Sequence, residues 1–238
     1  MKIKDLELVN KAIILNDKLI IADMHIGYEE AMNMGGFLVP RHMKKEILKD
    51  LKSLFEKCGE QLKKVIILGD FKHEFGKINE QEWKDSEEIL GIMKKYADKI
   101  IICKGNHDVS TGLYGKIGVK LVDYYVENGD LFIHGNNLKE ELKKIDGAFN
   151  RVFVGHFHSA VRIKEGVRSE NYKCYSMGKF VGKDLVILPS FFPLIEGGDI
   201  IEENKEGIDF SKFQVYVINE DGEILEFGKV EDLNYSTD

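Results

Sequence analysis

Short, unbroken apolar runs alternate with charged stretches along most of the chain. "LIIAD" (Leu19–Asp23), "KVIILGD" (Lys64–Asp70) and "KIIICKGNHD" (Lys99–Asp108) are apolar at consecutive positions, as strands covered on both faces are. "LELV" and "AIIL" precede them as further strands, and Asn16-Asp17 supplies a tight turn between "AIIL" and "LIIAD". Between the buried runs the period changes. In "PRHMKKEILKDLKSLFEK" the residues Ile47, Leu48, Leu51, Leu54 and Phe55 recur at helical spacing, and Pro40 suits a first helical turn. A second helix is predicted from about Glu80 to Tyr96. Strand–helix–strand–helix–strand is the signature of an α/β core.

The second half is richer in strands. "GVKLVDYYV", "DLFIHG", "RVFVGH", "AVRIKEGV", "YKCYSM" and "DLVILPS" are predicted strands, and "QVYVINEDGEILEFG" is a hairpin with Asp-Gly at its turn. A short helix is expected near Leu138 to Lys144. Many strands with few helices between them imply an α/β fold in which two sheets pack as a sandwich with helices outside. No repeat, low-complexity tract or Pro/Ser-rich linker divides the chain, so residues 1–238 are expected to form a single domain.

Composition narrows the setting. No apolar run approaches the roughly 20 residues that span a bilayer, and "MKIKDLELVN" lacks the apolar core of a signal peptide. Cys58, Cys103 and Cys174 are odd in number and form no CxxC, so neither a disulfide framework nor a thiolate zinc site is expected. A cytoplasmic address with no membrane contact follows as the expectation. A formal net charge of −7 argues against a surface built to grip long nucleic acid, although it leaves room for a local basic groove.

The histidines change the picture most. Six of the seven lie at or just beyond the ends of apolar runs, with acids and an amide beside them: Asp23 and His25, Asp70 and His73, Asn106, His107 and Asp108, His134, then His156 and His158. Only His42 falls elsewhere, in the first turn of a predicted helix. Ligands of α/β sheets bind beyond the carboxyl ends of strands, so five strand ends would deliver these groups to one crevice. Clustered carboxylates repel one another, and a divalent cation removes that penalty. Glycines at 69, 105, 135 and 155 are expected to let the backbone turn at each strand end.

The motifs "DMH", "GDFKH", "GNHD", "IHG" and "GHFH", in that order from residue 23 to 158, resemble those of the calcineurin-like metallophosphoesterase superfamily. The form with His73, and the stretches "DMHIGYEEAMNMGGFLVPR", "GDFKHEFG" and "LPSFFPLIEGG", are similar to the small archaeal SbcD-related phosphoesterases and the bacterial DNA-ligase-associated phosphoesterases. The resemblance implies a four-layer α/β/β/α arrangement with a two-metal site at the strand ends. It assigns Asp23, His25, Asp70 and His158 to one metal, and Asp70, Asn106, His134 and His156 to the other. It turns His107 to the substrate with Asp108 orienting it. Two metals about 3.5–4 Å apart would clamp the oxygens of an in-line displacement by a bridging hydroxide. His107 would protonate the leaving alkoxide. Imidazole, carboxylate and amide donors suit manganese, iron, zinc or nickel, and family likeness points to manganese.

Three further residues are candidates on weaker grounds. His73 is expected to contact the phosphate, orient the leaving group or cap its loop. Arg41 and Lys72 could offer charge to a phosphate, the alternative for Arg41 being a solvated helix face. "PSFFPLIEGG" reads either as a loop over the site or as an apolar plug against the sheet. The function implied is a metal-dependent phosphoesterase acting on a phosphate ester, diester before monoester. The alternatives are a nuclease acting on short single strands or on nucleic-acid ends, and a non-catalytic metal-binding interaction module. Monomer and dimer both remain open.

Overall fold

The computed structural model describes residues 1–59, 62–74, 79–108, 112–165, 168–200 and 207–233. The last residues of "GDFKHEFG" and of "AVRIKEGV" lie outside them. The chain opens with a meander of β1 (Lys2–Ile3), β2 (Leu6–Val9), β3 (Ala12–Leu15) and β4 (Lys18–Ile21). Its two-residue turns place Asn10 and Asn16 at φ 49° and 55°, a left-handed conformation that asparagine tolerates. Next come α1 (Tyr28–Met34), α2 (Met43–Cys58), β5 (Lys64–Leu68), α3 (Glu80–Met93), β6 (Lys99–Cys103), α4 (Gly112–Ile117) and β7 (Lys120–Val122). The first sheet runs β1 to β7 in sequence order, parallel from β4 onward.

The second half supplies β8 (Tyr124–Glu127), β9 (Asp130–Ile133), α5 (Leu138–Lys144), β10 (Arg151–Val154), β11 (Ser159–Glu165), β12 (Arg168–Phe180), β13 (Lys183–Ile187), β14 (Gly198–Asp199), β15 (Gln214–Ile218) and β16 (Ile224–Lys229). They form a mixed sheet in the order β14-β11-β12-β13-β10-β9-β8, with β15 paired to β12 and β16 to β15. At its centre β9, β10 and β13 are parallel.

Side-chain alternation shares each buried strand between two cores. Val65 and Ile67 of β5 face α2 and α3, while Ile66 and Leu68 face the other sheet. Likewise Phe132 of β9 and Phe153 of β10 enter the space between the sheets, stacked at 5.1 Å. Their neighbours Leu131, Ile133, Val152 and Val154 face the outer layer that holds Leu138 of α5. The fold is therefore the expected α/β type, two sheets face to face with helices on the outer surfaces.

Three boundaries differ from expectation. "GVKLVDYYV" is not one strand: it bends at Asp123, leaving β7 in the first sheet and β8 in the second. Helix α2 starts at Met43 rather than Pro40, because its opening N–H groups are met by a distant carboxylate. Oε1 of buried Glu29 accepts from His42 N at 2.7 Å and Met43 N at 2.9 Å. Helix α3 ends at Met93; Lys95 and Tyr96 close tighter three-residue turns instead. Helices α1 and α4 were not expected.

At the edge remote from the candidate site, ion pairs join the sheets. Glu127 of β8 accepts from Lys64 of β5 and lies 3.1 Å from Lys18 Nζ of β4. Burial alone would push its carboxyl up, but Lys64, the Tyr125 hydroxyl and Lys18 outweigh that and pull it down to about 2 from 4.5. A depressed carboxylate stabilises the fold above the unfolded-state pKa and stops doing so as pH falls through the folded one. We predict that Glu127→Gln lowers the melting temperature at pH 7 and narrows the loss of stability between pH 4.5 and about 2. An acid-denaturation profile identical to wild type would refute this.

Candidate metal centre

The carboxyl ends of β4, β5 and β6 in one sheet and of β9 and β10 in the other meet at one edge of the sandwich. Past β4 and β5 the backbone pairing continues: Asp23 N donates to Gly69 O, His25 N to Asp70 O, Ile26 N to Phe71 O and His73 N to Ile26 O, at 2.8–3.2 Å. This ladder sets Asp23 and His25 beside Asp70 and His73. Asp23, His25, Asp70, His156 and His158 all have φ between 44° and 61°. Non-glycine residues rarely sit in that region, and such strain concentrates at functional sites.

The glycines divide into two kinds. Gly69 and Gly135 turn through positive φ as expected. Gly105 and Gly155 do not, and are glycine for space. A Cβ on Gly105 would lie 2.2 Å from Asp70 Oδ1, and one on Gly155 would lie 2.6 Å from Leu68 O and 2.9 Å from Asp23 Oδ2.

The side chains brought together are mostly acceptors facing acceptors. Around Nε2 of His134 lie Asn106 Oδ1 at 3.0 Å, His156 Nδ1 at 3.2 Å and Asp70 Oδ2 at 3.4 Å. Nδ1 of His134 meets the Leu68 carbonyl at 2.9 Å, so the proton of a neutral ring belongs there and Nε2 presents a lone pair. On the other side His25 Nε2 is 3.1 Å from His158 Nε2 and 4.0 Å from Asp70 Oδ2. His158 Nε2 is in turn 3.9 Å from Asp23 Oδ2. Asp70 therefore touches both groups. Atoms of Asp70, His134 and His156 lie within 4.8 Å of one another, as do those of His25, His73 and His107. This donor set of imidazole, carboxylate and amide is one that borderline divalent metals accept.

The electrostatics point the same way. Burial and the neighbouring His158 pull His25 down to about 2, and burial with Lys173 pulls His158 down to about 3, so both rings are neutral. Burial, reinforced by Asp70, pushes Asp23 up to about 7. Asp70 shifts the opposite way, its burial outweighed by His134, which it holds protonated in turn. Two buried carboxylates share an environment that favours only one anion, and a cation would relieve that.

His107 and its neighbours correct one expectation. Nδ1 of His107 pairs with the carbonyl oxygen of His73, not with Asp108, and its backbone N–H donates to Asp70 Oδ1 at 2.9 Å. The buried Asp108 carboxylate accepts from Tyr114 Oη at 2.7 Å, Gly105 N at 3.0 Å, and Phe71 N and Lys72 N at 3.4 Å. It ties the loops after β5 and β6 together rather than orienting the imidazole. The ring of His73 faces His25, Nδ1 to Nδ1 at 3.5 Å, and stacks on His107 at 5.2 Å.

Arg41 is not brought to the cluster: it is exposed and pairs with Glu30. Lys72 is buried, its Nζ on the Glu74 carbonyl. "PSFFPLIEGG" is a plug at its start, with Phe191 and Phe192 buried, and exposed at Leu194 and Ile195. Phe192 N and Ser190 Oγ hold the Asp23 carbonyl at 3.1 and 3.2 Å. Sequence reasoning missed Tyr114, Ser190 and Glu82. Buried Glu82 accepts from His73 N and Glu74 N at 3.1 and 3.0 Å. Glu82 alone left a signal, as an acid three residues after the cap Asn79.

Among solved structures, the chain is similar to the nuclease MPE of Pseudomonas putida, with a TM-score of 0.67 and 21% identity over 93% of this chain and 94% of that one. Weaker likenesses include the zinc-complexed Vps29 of Entamoeba histolytica (TM-score 0.42, 15% identity, 88% and 96% covered). Another is the Aquifex aeolicus protein AQ665 (TM-score 0.41, 17% identity, 58% and 77% covered). No curated protein matches the chain. The calcineurin-like phosphoesterase model matches residues 19–218, which include every residue of the cluster. The chain belongs to the calcineurin-like phosphoesterase family, and so to the metal-dependent hydrolases of phosphoester bonds.

Proposed function

We propose that the protein is a phosphodiesterase working with two divalent ions. Asp23, His25, Asp70 and His158 hold one; Asp70, Asn106, His134 and His156 hold the other. The observation that carries this reading is the set of acceptors around His134 Nε2, all within 3.4 Å, with Nδ1 of the same ring committed to the Leu68 carbonyl. A ligating imidazole is oriented in that way by a carbonyl on its other nitrogen. Bound there, the ions would activate water as the nucleophile and draw charge from the phosphoryl oxygens.

The chain's own residues supply the rest. His107 donates Nδ1–H to the His73 carbonyl, which orients the ring, and its Nε2 carries the proton that passes to the leaving alkoxide. His73 also orients His25: with Nε2 of His25 turned to the metal, its Nδ1–H faces His73 Nδ1. Asp108 and Tyr114 are positioning residues that hold the loop bearing His107.

A diester is favoured over a monoester because the cations beside the cluster among the described residues are occupied. Lys72 is on Glu74, and Lys173 Nζ is on the Ser190 and Phe192 carbonyls at 2.8 and 2.5 Å. A monoester dianion needs more neutralisation than a diester monoanion. Manganese is the proposed ion, with iron, zinc and nickel as fits to the same donors. The reading takes residues 1–238 as one domain, supported by the core shared between the sheets. It places the protein in the cytoplasm, in keeping with its free cysteines. Among the described residues no helix is long and apolar enough to cross a membrane.

Three measurements test this. Metal-stripped protein given manganese should hydrolyse an aryl phosphodiester faster than its monoester; a monoester preference would reverse the substrate assignment. His107→Ala should keep both ions by calorimetry and lose roughly 10²–10⁴-fold in kcat; wild-type turnover would remove His107 from the chemistry. Asp108→Asn should lower kcat or stability while leaving the pH–rate profile in place, because Asp108 touches the loop and not the ring. A shifted limb would restore it to a role in tuning His107.

A further inference from the structure

A row of aromatic rings leads from His107 outward. His73 stacks on His107 with centroids 5.2 Å apart and 27° between planes. Tyr28 meets His73 edge to face at 4.8 Å and Phe192 at 4.8 Å. Phe192 in turn abuts His25 at 5.6 Å. The row is rigid at its base. Phe192 is buried, with its N–H on the Asp23 carbonyl, and Tyr28 N donates to the His25 carbonyl at 3.2 Å. Tyr28 itself is only half-buried, and its hydroxyl makes no hydrogen bond among the described residues. Tyr28 packs in part against the core of the first sheet, yet it keeps a polar tip and an exposed portion of its ring beside His73, one ring away from the catalytic histidine.

We propose that Tyr28 is a stacking platform for the nucleobase on the leaving-group side of a phosphodiester, an assignment that rests on the phosphodiesterase reading and names its substrate class. His107 protonates the leaving oxygen, so the group attached to that oxygen extends past His107 along His73 to Tyr28. A base stacks on an aromatic face without needing a cation, which suits a cluster whose neighbouring Lys72 and Lys173 are engaged elsewhere. A rigid side chain with few torsions loses little entropy on such contact. The acidic balance of the chain then limits the substrate to a short strand or an end rather than a long duplex.

The test compares kcat/KM, with manganese, for a thymidine dinucleotide and for the same diester with an abasic deoxyribose on the leaving side. Wild type should favour the base-bearing diester by roughly fivefold, the low end of one base–aromatic stack. Tyr28→Leu should bring that ratio toward one, and Tyr28→Phe should retain it. Manganese calorimetry on each variant separates stacking from support of the ligand loop. Loss of manganese binding in Tyr28→Leu would mean that the ring props His25, and would overturn the assignment. So would a wild-type ratio near one with both diesters hydrolysed, which leaves the phosphodiesterase reading standing. A preference for an alkyl leaving group over the base would also overturn it. Hydrolysis of neither diester by wild type would remove both readings.

Discussion

The Asp70 carboxylate lies within 4.0 Å of ring nitrogens of His25, His107 and His134, and accepts the backbone N–H of His107 at 2.9 Å. It is buried at the junction of two sheets and three loops, and the remaining geometry is arranged around it. Gly105 lacks a side chain because Asp70 occupies that space. The loops after β4 and β5 extend their pairing so that Asp23 and His25 stand opposite it. An anion in that position has few protein donors, the His107 backbone N–H and the His134 imidazole, while burial keeps the His25 ring beside it neutral. Such a centre is unstable as a set of side chains and becomes coherent with divalent charge between them.

Around this centre the loops are held by carboxylates that accept backbone N–H groups. Glu29 caps α2, Glu82 gathers His73 and Glu74, and Asp108 gathers Gly105, Phe71 and Lys72. All three are buried. Part of the chain's acidity is therefore structural and internal. A loop fixed by a carboxylate on its amides leaves its side chains free to face the cluster, as those of His73 and His107 do.

How much of this was legible follows from the range of each interaction. The strand ends could be read because each motif is local: an apolar run, a glycine, then the polar residue. The gathering of these side chains followed, since in a sheet of this topology all such ends share one edge. The partners of Asp108, Glu29 and Glu82 were not legible. Tyr114 is six residues from Asp108 in a helix too short to announce itself, and Glu29 caps a helix thirteen residues on. The start of α2 was misplaced for the same reason: Pro40 is a local signal, and the cap that sets the boundary is not. At Asp123 a continuous β-pattern changes sheets, which hydrophobic period cannot reveal because both halves are strands.

Strain ties the fold to the chemistry. Five of the residues in the cluster hold left-handed backbones, each costing on the order of 1 kcal/mol or more, and their environment over-determines them. For Asp23 that environment is explicit. Its carbonyl is held by Ser190 and Phe192, its carboxylate accepts from His156 N at 3.0 and 3.1 Å, and Gly155 closes behind it. Ser190 and Phe192 are themselves latched through their carbonyls by Lys173 of β12. The first sheet thus delivers Asp23 and the second sheet fixes its conformation. A perturbation of the sandwich would reach the site through backbone geometry before it reached any of these side chains directly, because they sit where the two sheets must agree.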